Sequence, residues 1–196
     1  MRASPEKKEE KERVRLSLLR ATLHVAAAHG FASLGLREVA REAGIAPTSF
    51  YRHFADMDEL GRALIAEFVG PVVAELEAAV NQAGKSPQDL GRALVDAGFQ
   101  AAAEDREVVR FLLAEQAGAF ASFRASLREK LDALANTLKD VAECDPGAAR
   151  AAVVVLLDAL NRLLELTDEA TDEARAELHA ESLRNVSAQL TRRSAP

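Results

Sequence analysis

With 196 residues, 48% of them hydrophobic and 5% aromatic, the chain is long enough for one medium or two small domains with a real core. Its one cysteine, Cys144, excludes an internal disulfide framework and offers no metal-site spacing; the charged start MRASPEKKEEKER does not read as a signal peptide, and no apolar run, the longest being 151–157, approaches a membrane span. The net charge of −6 divides unevenly: residues 1–54 hold ten Lys/Arg against six Asp/Glu, or +4, and the remainder holds fifteen against twenty-five, or −10. A basic module on an acidic body fits a nucleic-acid contact at one end, or simply a solvated N-terminal helix.

Ala and Leu dominate and β-branched residues do not cluster, so the chain reads as all-α. Residues 1–10 are expected to be a flexible arm, and helix 1 to run from Lys11 to His29 with Val14, Leu18, Ala21, Val25 and Ala28 on its apolar face. Lys7, Lys8, Lys11, Arg13 and Arg15 either meet phosphate or remain solvated. Helix 2 covers 36–43, with Leu36, Val39, Ala40 and Ala43 inside and Arg37, Glu38, Arg41 and Glu42 outside. Gly44 follows where a helix end favours the left-handed conformation, and Pro47 opens helix 3, expected over 47–54. Phe50 and Phe54 anchor the inner face of helix 3. Its other residues, Thr48, Ser49, Tyr51, Arg52 and His53, are hydrogen-bonding groups able to reach phosphates and base edges. Two short helices joined this way fit one into a DNA major groove.

Helix 4 begins near Asp58 with Asp56 as its cap, and Gly70-Pro71 predicts a kink or break within it. Asn81–Pro87 is a linker whose Ser86-Pro87-Gln88-Asp89 caps helix 5, ending at Glu104. Helix 6 is expected over Arg106–Ala117, helix 7 over Ser122–Glu143, helix 8 from Asp145-Pro146 to Thr167, and helix 9 over Glu173–Arg193, after an acidic turn at Asp168–Asp172. Helix 8 is apolar nearly all round in its first half, which predicts burial on more than one side. Asp158 and Arg162 are spaced for a local ion pair, and Asn161 for a polar contact at a subunit interface. His24, His29, His53 and His179 form no HExxH motif, nucleophile elbow or Cys–His constellation, so no catalytic residue, metal or cofactor is expected.

From about Arg13 to Leu64, the Gly30-Phe31 turn, LREVA, AGI, SFYRHF and the acidic EL together resemble the DNA-binding domain of the TetR family of transcriptional regulators. REVAREAGIAPTSFYRHF before DMDELG resembles the FabR and DesT type, which control unsaturated fatty acid synthesis; RFLLAEQAGAFASFRASLREKL is also similar. The resemblance implies a nine-helix fold. Residues 1–56 would form the helix-turn-helix DNA-binding domain and 57–196 a ligand-binding and dimerisation domain, in a cytoplasmic protein with no membrane partner. It also implies a palindromic double-stranded DNA operator and a homodimer built through helices 8 and 9. Matched residue by residue, Arg37 reaches a base from helix 2, and Pro47, Thr48 and Ser49 sit near base edges and phosphates. Tyr51 and His53 contact phosphate, and Arg52 is placed for guanine. The sequence departs at Gly35, where many members carry Thr or Ser as a cap, and at Met57, where many carry a phosphate-binding Lys. The helix 4 N-terminus can still offer backbone N–H groups to phosphate.

Phe99, Ala102, Phe111, Leu112, Phe120, Phe123 and Leu127 read, from the residues alone, as core or as pocket wall. The resemblance implies a pocket for long-chain acyl-CoA, with Ala97, Gly98, Ala101, Ala102, Ala117 and Ala119 leaving room for an alkyl chain. Arg106, Arg110, Arg124 and Arg128 could meet a CoA phosphate or stay on the surface. Another hydrophobic effector is the alternative.

Overall fold

The computed structural model describes residues 5–166 and 171–191, and among them nine helices and no strand. They are α1 (Pro5–His29), α2 (Leu36–Glu42), α3 (Pro47–Phe50), α4, α5 (Pro87–Glu104), α6 (Arg106–Glu115), α7 (Ala121–Ala142), α8 (Pro146–Glu165) and α9 (Asp172–Leu190). α4 is composite: Met57–Leu64, a π-helical turn Ile65–Val69, and Gly70–Gln82 follow without a gap. The helix-starting signals act as expected. Asp56, Ser86, Asp105, Asp145 and Thr171 each accept a backbone N–H from the first turn of the helix that follows, worth about 1 kcal/mol apiece.

α1, α2, α3 and the first part of α4 make a small head. The rest of α4 packs on α7 and α5, and α9 closes on α8 and α5. One apolar core runs through both, from Leu18, Val39 and Phe50 in the head to Leu94, Leu134 and Leu156 in the body.

Several sequence expectations need correction. α1 begins at Pro5, not Lys11, because the Glu- and Lys-rich start favours helix and proline suits a first helical position. Its buried residues are Leu18, Leu19, Thr22, Leu23, Ala26 and Ala27, not the stripe through Val14 and Ala28. The buried face is wider than one stripe because α1 packs on α2 within the head and on α6 of the body. α3 is α-helical only over Pro47–Phe50; Arg52 and His53 then donate to Ser49 and Phe50 carbonyls in a tighter turn. The chain does not break at Pro71. The Gly70 N–H donates to the Ile65 carbonyl in π register, and this widened turn accommodates a ring that would clash in an α-helix. Arg162 does not pair with Asp158; it holds both Glu181 oxygens at 2.9 Å, tying α8 to α9. Thr167, the turn at 168–170 and Arg193 lie outside the described residues.

The small residues leave less room than the sequence suggests. A Cβ on Gly98 would lie 2.9 Å from Leu156 Cδ1, and one on Gly91 would lie 2.2 Å from Ser187 Oγ, so both glycines let α5 press on its neighbours. Ala117 and Ala119 are exposed. The closest approach is at Gly61, where a Cβ would fall 1.7 Å from Phe123 Cζ. Alanine there is expected to destabilise by about 1–3 kcal/mol, outweighing the ~1 kcal/mol that alanine gains over glycine in a helix. Gly61→Ala should therefore lower the denaturation midpoint, and the loss should shrink in a Phe123→Leu background. A Gly61→Ala protein as stable as wild type would show that the ring swings aside freely.

Candidate functional site

The helix-turn-helix is set by its backbone. After α2, Gly44 takes φ +69°, the Gly44 N–H donates to Arg41 O, and the Ile45 N–H donates to Ala40 O at 2.9 Å. This pair of bonds closes the helix with a left-handed residue and turns the chain toward α3. α2 starts at Gly35 without a side-chain cap. Phe50 and Phe54 are buried with ring centroids 5.9 Å apart, locking α3 to the head.

The outward face then carries Pro47, Thr48, Tyr51 and Arg52, all exposed, with Arg37 exposed on α2. Tyr51 is 65% exposed, an uncommon state for a large aromatic unless it has a partner. Ser49 and His53 are half-buried. Burial, then Lys11 and Arg52, hold the His53 imidazole below its usual range, which favours its neutral form. Its Nδ1 is buried without a partner, so Nε2 is the nitrogen left to donate to a phosphate. Lys11 thus joins Arg52 near His53, whereas Arg13 pairs with Glu10 and Arg15 with Glu12 and Glu67. The N-terminus of α4 is a poor phosphate site: Asp56 accepts the Glu59 N–H, and Asp58 holds Ser122 Oγ at 2.5 Å.

The head is fastened to the body by residues that sequence reasoning did not single out. The Phe31 ring packs edge-on against Phe120 at 5.5 Å and Phe123 at 4.7 Å, and these two stack at 5.0 Å. The Phe31 N–H donates to Glu115 Oε1 at 3.0 Å; Glu115 is 3% exposed and its Oε2 has no partner. Arg20 reaches Asp105 at 2.8 Å and lies over the Phe68 ring at 4.2 Å, and His24 Nδ1 lies 2.7 Å from Glu107 Oε1. A glycine inside a helical stretch at Gly61 and a lone acid in the apolar run before Gly118 were the available signals.

The structure does not bring the expected pocket residues into one cavity. Phe111, Leu112 and Phe123 are core residues, and Phe120 belongs to the Phe31 cluster. Leu127 lines a cavity of about 250 Å³ between α7 and α8, with Arg124, Arg128 and Arg150. Phe99 and Ala102 line a different one, of about 350 Å³, with Arg106 and Arg175. Arg110 borders a third opening beside α8.

Residues 18–64 match the family model for bacterial regulatory proteins, tetR family. The chain is a TetR-family transcriptional regulator. Solved structures agree in fold. The multidrug binding protein EbrR, complexed with imidazole, is 25% identical over 93% of this chain and 96% of its own, with a TM-score of 0.66. The fatty acid degradation regulator FadR from Bacillus halodurans is 18% identical over 97% and 96%, TM-score 0.69. FadR from Bacillus subtilis in complex with stearoyl-CoA is 15% identical over 90% and 97%, TM-score 0.69. No helix among the described residues is long and apolar enough to cross a membrane.

Two outcomes are expected of the TetR-family head. Tyr51→Ala should weaken binding to every duplex, whereas Arg52→Ala should also relax sequence preference, at about 1–3 kcal/mol per lost base contact; equal losses on specific and random duplex for both variants would contradict this division. The hydrogen bond and charge of Glu107 raise the His24 pKa above 6.5. The stabilisation from this pair is therefore full below 6.5 and lost as pH rises through the raised value. His53, shifted the other way, contributes the opposite slope, so the difference between wild type and His24→Ala isolates the pair. Unfolding curves across this window should converge at high pH; parallel curves would remove His24 from the junction's energetics.

Proposed function

We propose that this regulator is a homodimeric repressor of unsaturated fatty acid synthesis or desaturation genes, reading a palindromic operator with an affinity set by long-chain acyl-CoA. The observation that carries the DNA-reading part is the exposed face of Tyr51, Arg52 and Thr48 on a basic head, opposite an acidic body. Residues 1–56 read DNA in this scheme, and 57–196 bind effector and partner. α8 supports dimerisation: it is buried on most sides, yet Val154 midway along it is 63% exposed. A two-fold pair doubles the short sequence that one α3 can read.

The acyl-CoA assignment draws on the FabR- and DesT-like wording of 38–54 and on the stearoyl-CoA bound by the Bacillus subtilis FadR neighbour. Arginines beside apolar walls suit such a ligand, and each CH₂ buried contributes about 0.8 kcal/mol. A bent unsaturated chain and a straight saturated one would press differently on the wall, and only that difference shifts the DNA-binding equilibrium. One observation favours a smaller hydrophobic effector instead: the cavity between α7 and α8, about 250 Å³, falls below the ~300–1,000 Å³ usual for ligand pockets. The EbrR neighbour, named for multidrug binding, keeps that class open.

Fluorescence anisotropy at fixed salt decides between them. A labelled palindrome from upstream of a desaturation or fatty acid synthesis gene is titrated against a scrambled duplex, with saturated and unsaturated long-chain acyl-CoA. Specific binding shifted differently by the two thioesters is the expected result. Specific binding indifferent to both would remove the lipid assignment and leave the smaller-effector reading.

A further inference from the structure

The cleft between α7 and α8 combines two properties that a packing defect would not share. Its floor is apolar, with Leu127, Leu131 and Val153, and its mouth carries Arg124, Arg128 and Arg150 against one carboxylate, Asp132, which leaves two positive charges in excess. Arg150 is 3.3 Å from Asp132. Arg128 is exposed and has no ion pair among the described residues. A volume of about 250 Å³, at ~30 Å³ per water-sized group, holds roughly eight heavy atoms. The chemistry that fits is an alkyl or similar apolar body of about that size with an anionic head.

The same cleft touches the device that fixes the head. Arg124 donates from Nη1 to Gly118 O at 2.6 Å, closing the turn after α6. Gly118 sits against Glu115, close enough that a Cβ on it would lie 2.3 Å from Oε2. Glu115 Oε1 in turn holds the Phe31 amide, and Phe120, two residues beyond Gly118, holds the Phe31 ring. Resting on the reading of the chain as a ligand-controlled regulator, we propose that this cleft binds an amphipathic anion. We further propose that Arg124, by turning from Gly118 O to the anionic head, loosens the turn that holds Phe31 and so frees the DNA-binding head. Arg128 attracts the head group, and Arg124 is the coupling residue.

The full-length protein is titrated with octanoate, octanoyl-CoA and uncharged 1-octanol by calorimetry, and the exchange of the Phe31 amide is followed by NMR. Octanoate should bind about tenfold or more tighter than octanol, as charge-assisted contacts to arginine require, and Arg128→Ala should erase that preference. Bound octanoate should speed exchange of the Phe31 amide, and Arg124→Gln should speed it without ligand. If octanoyl-CoA alone shows the preference, the anion is the CoA phosphate and the cleft reading stands. Equal affinity for octanoate, octanoyl-CoA and octanol, indifference to Arg128→Ala, or unchanged Phe31 exchange on binding overturns it. Duplex binding by the ligand-free protein is measured in parallel: its loss would defeat the regulator reading, whereas its presence beside any of those three results defeats only the cleft.

Discussion

The position of the DNA-reading head depends on Phe31. This residue follows Gly30, whose φ of +79° turns the chain out of α1, and it is the point at which the head enters the body. Burial of its ring contributes about 1.5–3 kcal/mol, and the edge contacts to Phe120 and Phe123 add about 0.5–1.5 kcal/mol each. The two ion pairs that also cross the junction, Arg20–Asp105 and His24–Glu107, are largely exposed. Pairs of that kind are worth about 0–1 kcal/mol. The aromatic clamp therefore decides where the head sits, and the ion pairs set its rotation.

The clamp is opposed from within. Glu115 supplies an acceptor to the Phe31 amide, but its second oxygen is buried without a partner, a defect of about 1–3 kcal/mol or more for a polar group cut off from water. Stabilising and destabilising terms of similar size meet at one residue. Such a junction is held, yet a ligand of modest differential affinity is enough to move it. The π turn in α4 lies at the same level: Arg20 covers Phe68 and Arg15 approaches Glu67, both within Ile65–Val69.

Much of this was legible in the residues. Gly44, Asp56, Ser86 and Asp145 act through rules that involve only their neighbours in sequence, so their turns and caps could be read directly. The exposure of Tyr51 and Arg52 followed from the burial of Phe50 and Phe54 on the same short element. Contacts between distant segments were not legible. Phe120 and Phe123 have the spacing of a pocket wall as much as of a clamp, and only the arrival of Phe31 from 90 residues away chooses. Gly98 offers space in sequence, but Leu156 fills it. Arg162 had a suitable partner in Asp158, yet the bidentate geometry offered by Glu181 on α9 wins. The match of 18–64 to the family model rests on the local kind of signal, whereas effector choice rests on the distant kind.

α1 connects these levels mechanically. The same straight element carries Lys11 beside His53 at the DNA end and Arg20 and His24 at the junction. From Lys11 to His24 is about 20 Å of helix at 1.5 Å per residue, so a tilt on the order of 5° at the junction displaces the DNA end by about 2 Å. The acidic start of α4 repels phosphate rather than binding it, which leaves Lys11, Arg52 and the α3 hydroxyls to hold the backbone. With so few cationic contacts, affinity is sensitive to their spacing. In a two-fold dimer, where half-sites lie one helical turn apart, both heads move together. The displacement is then counted twice against the fixed repeat of the DNA. A small repacking around Phe31 is sufficient to change occupancy of an operator without unfolding any helix.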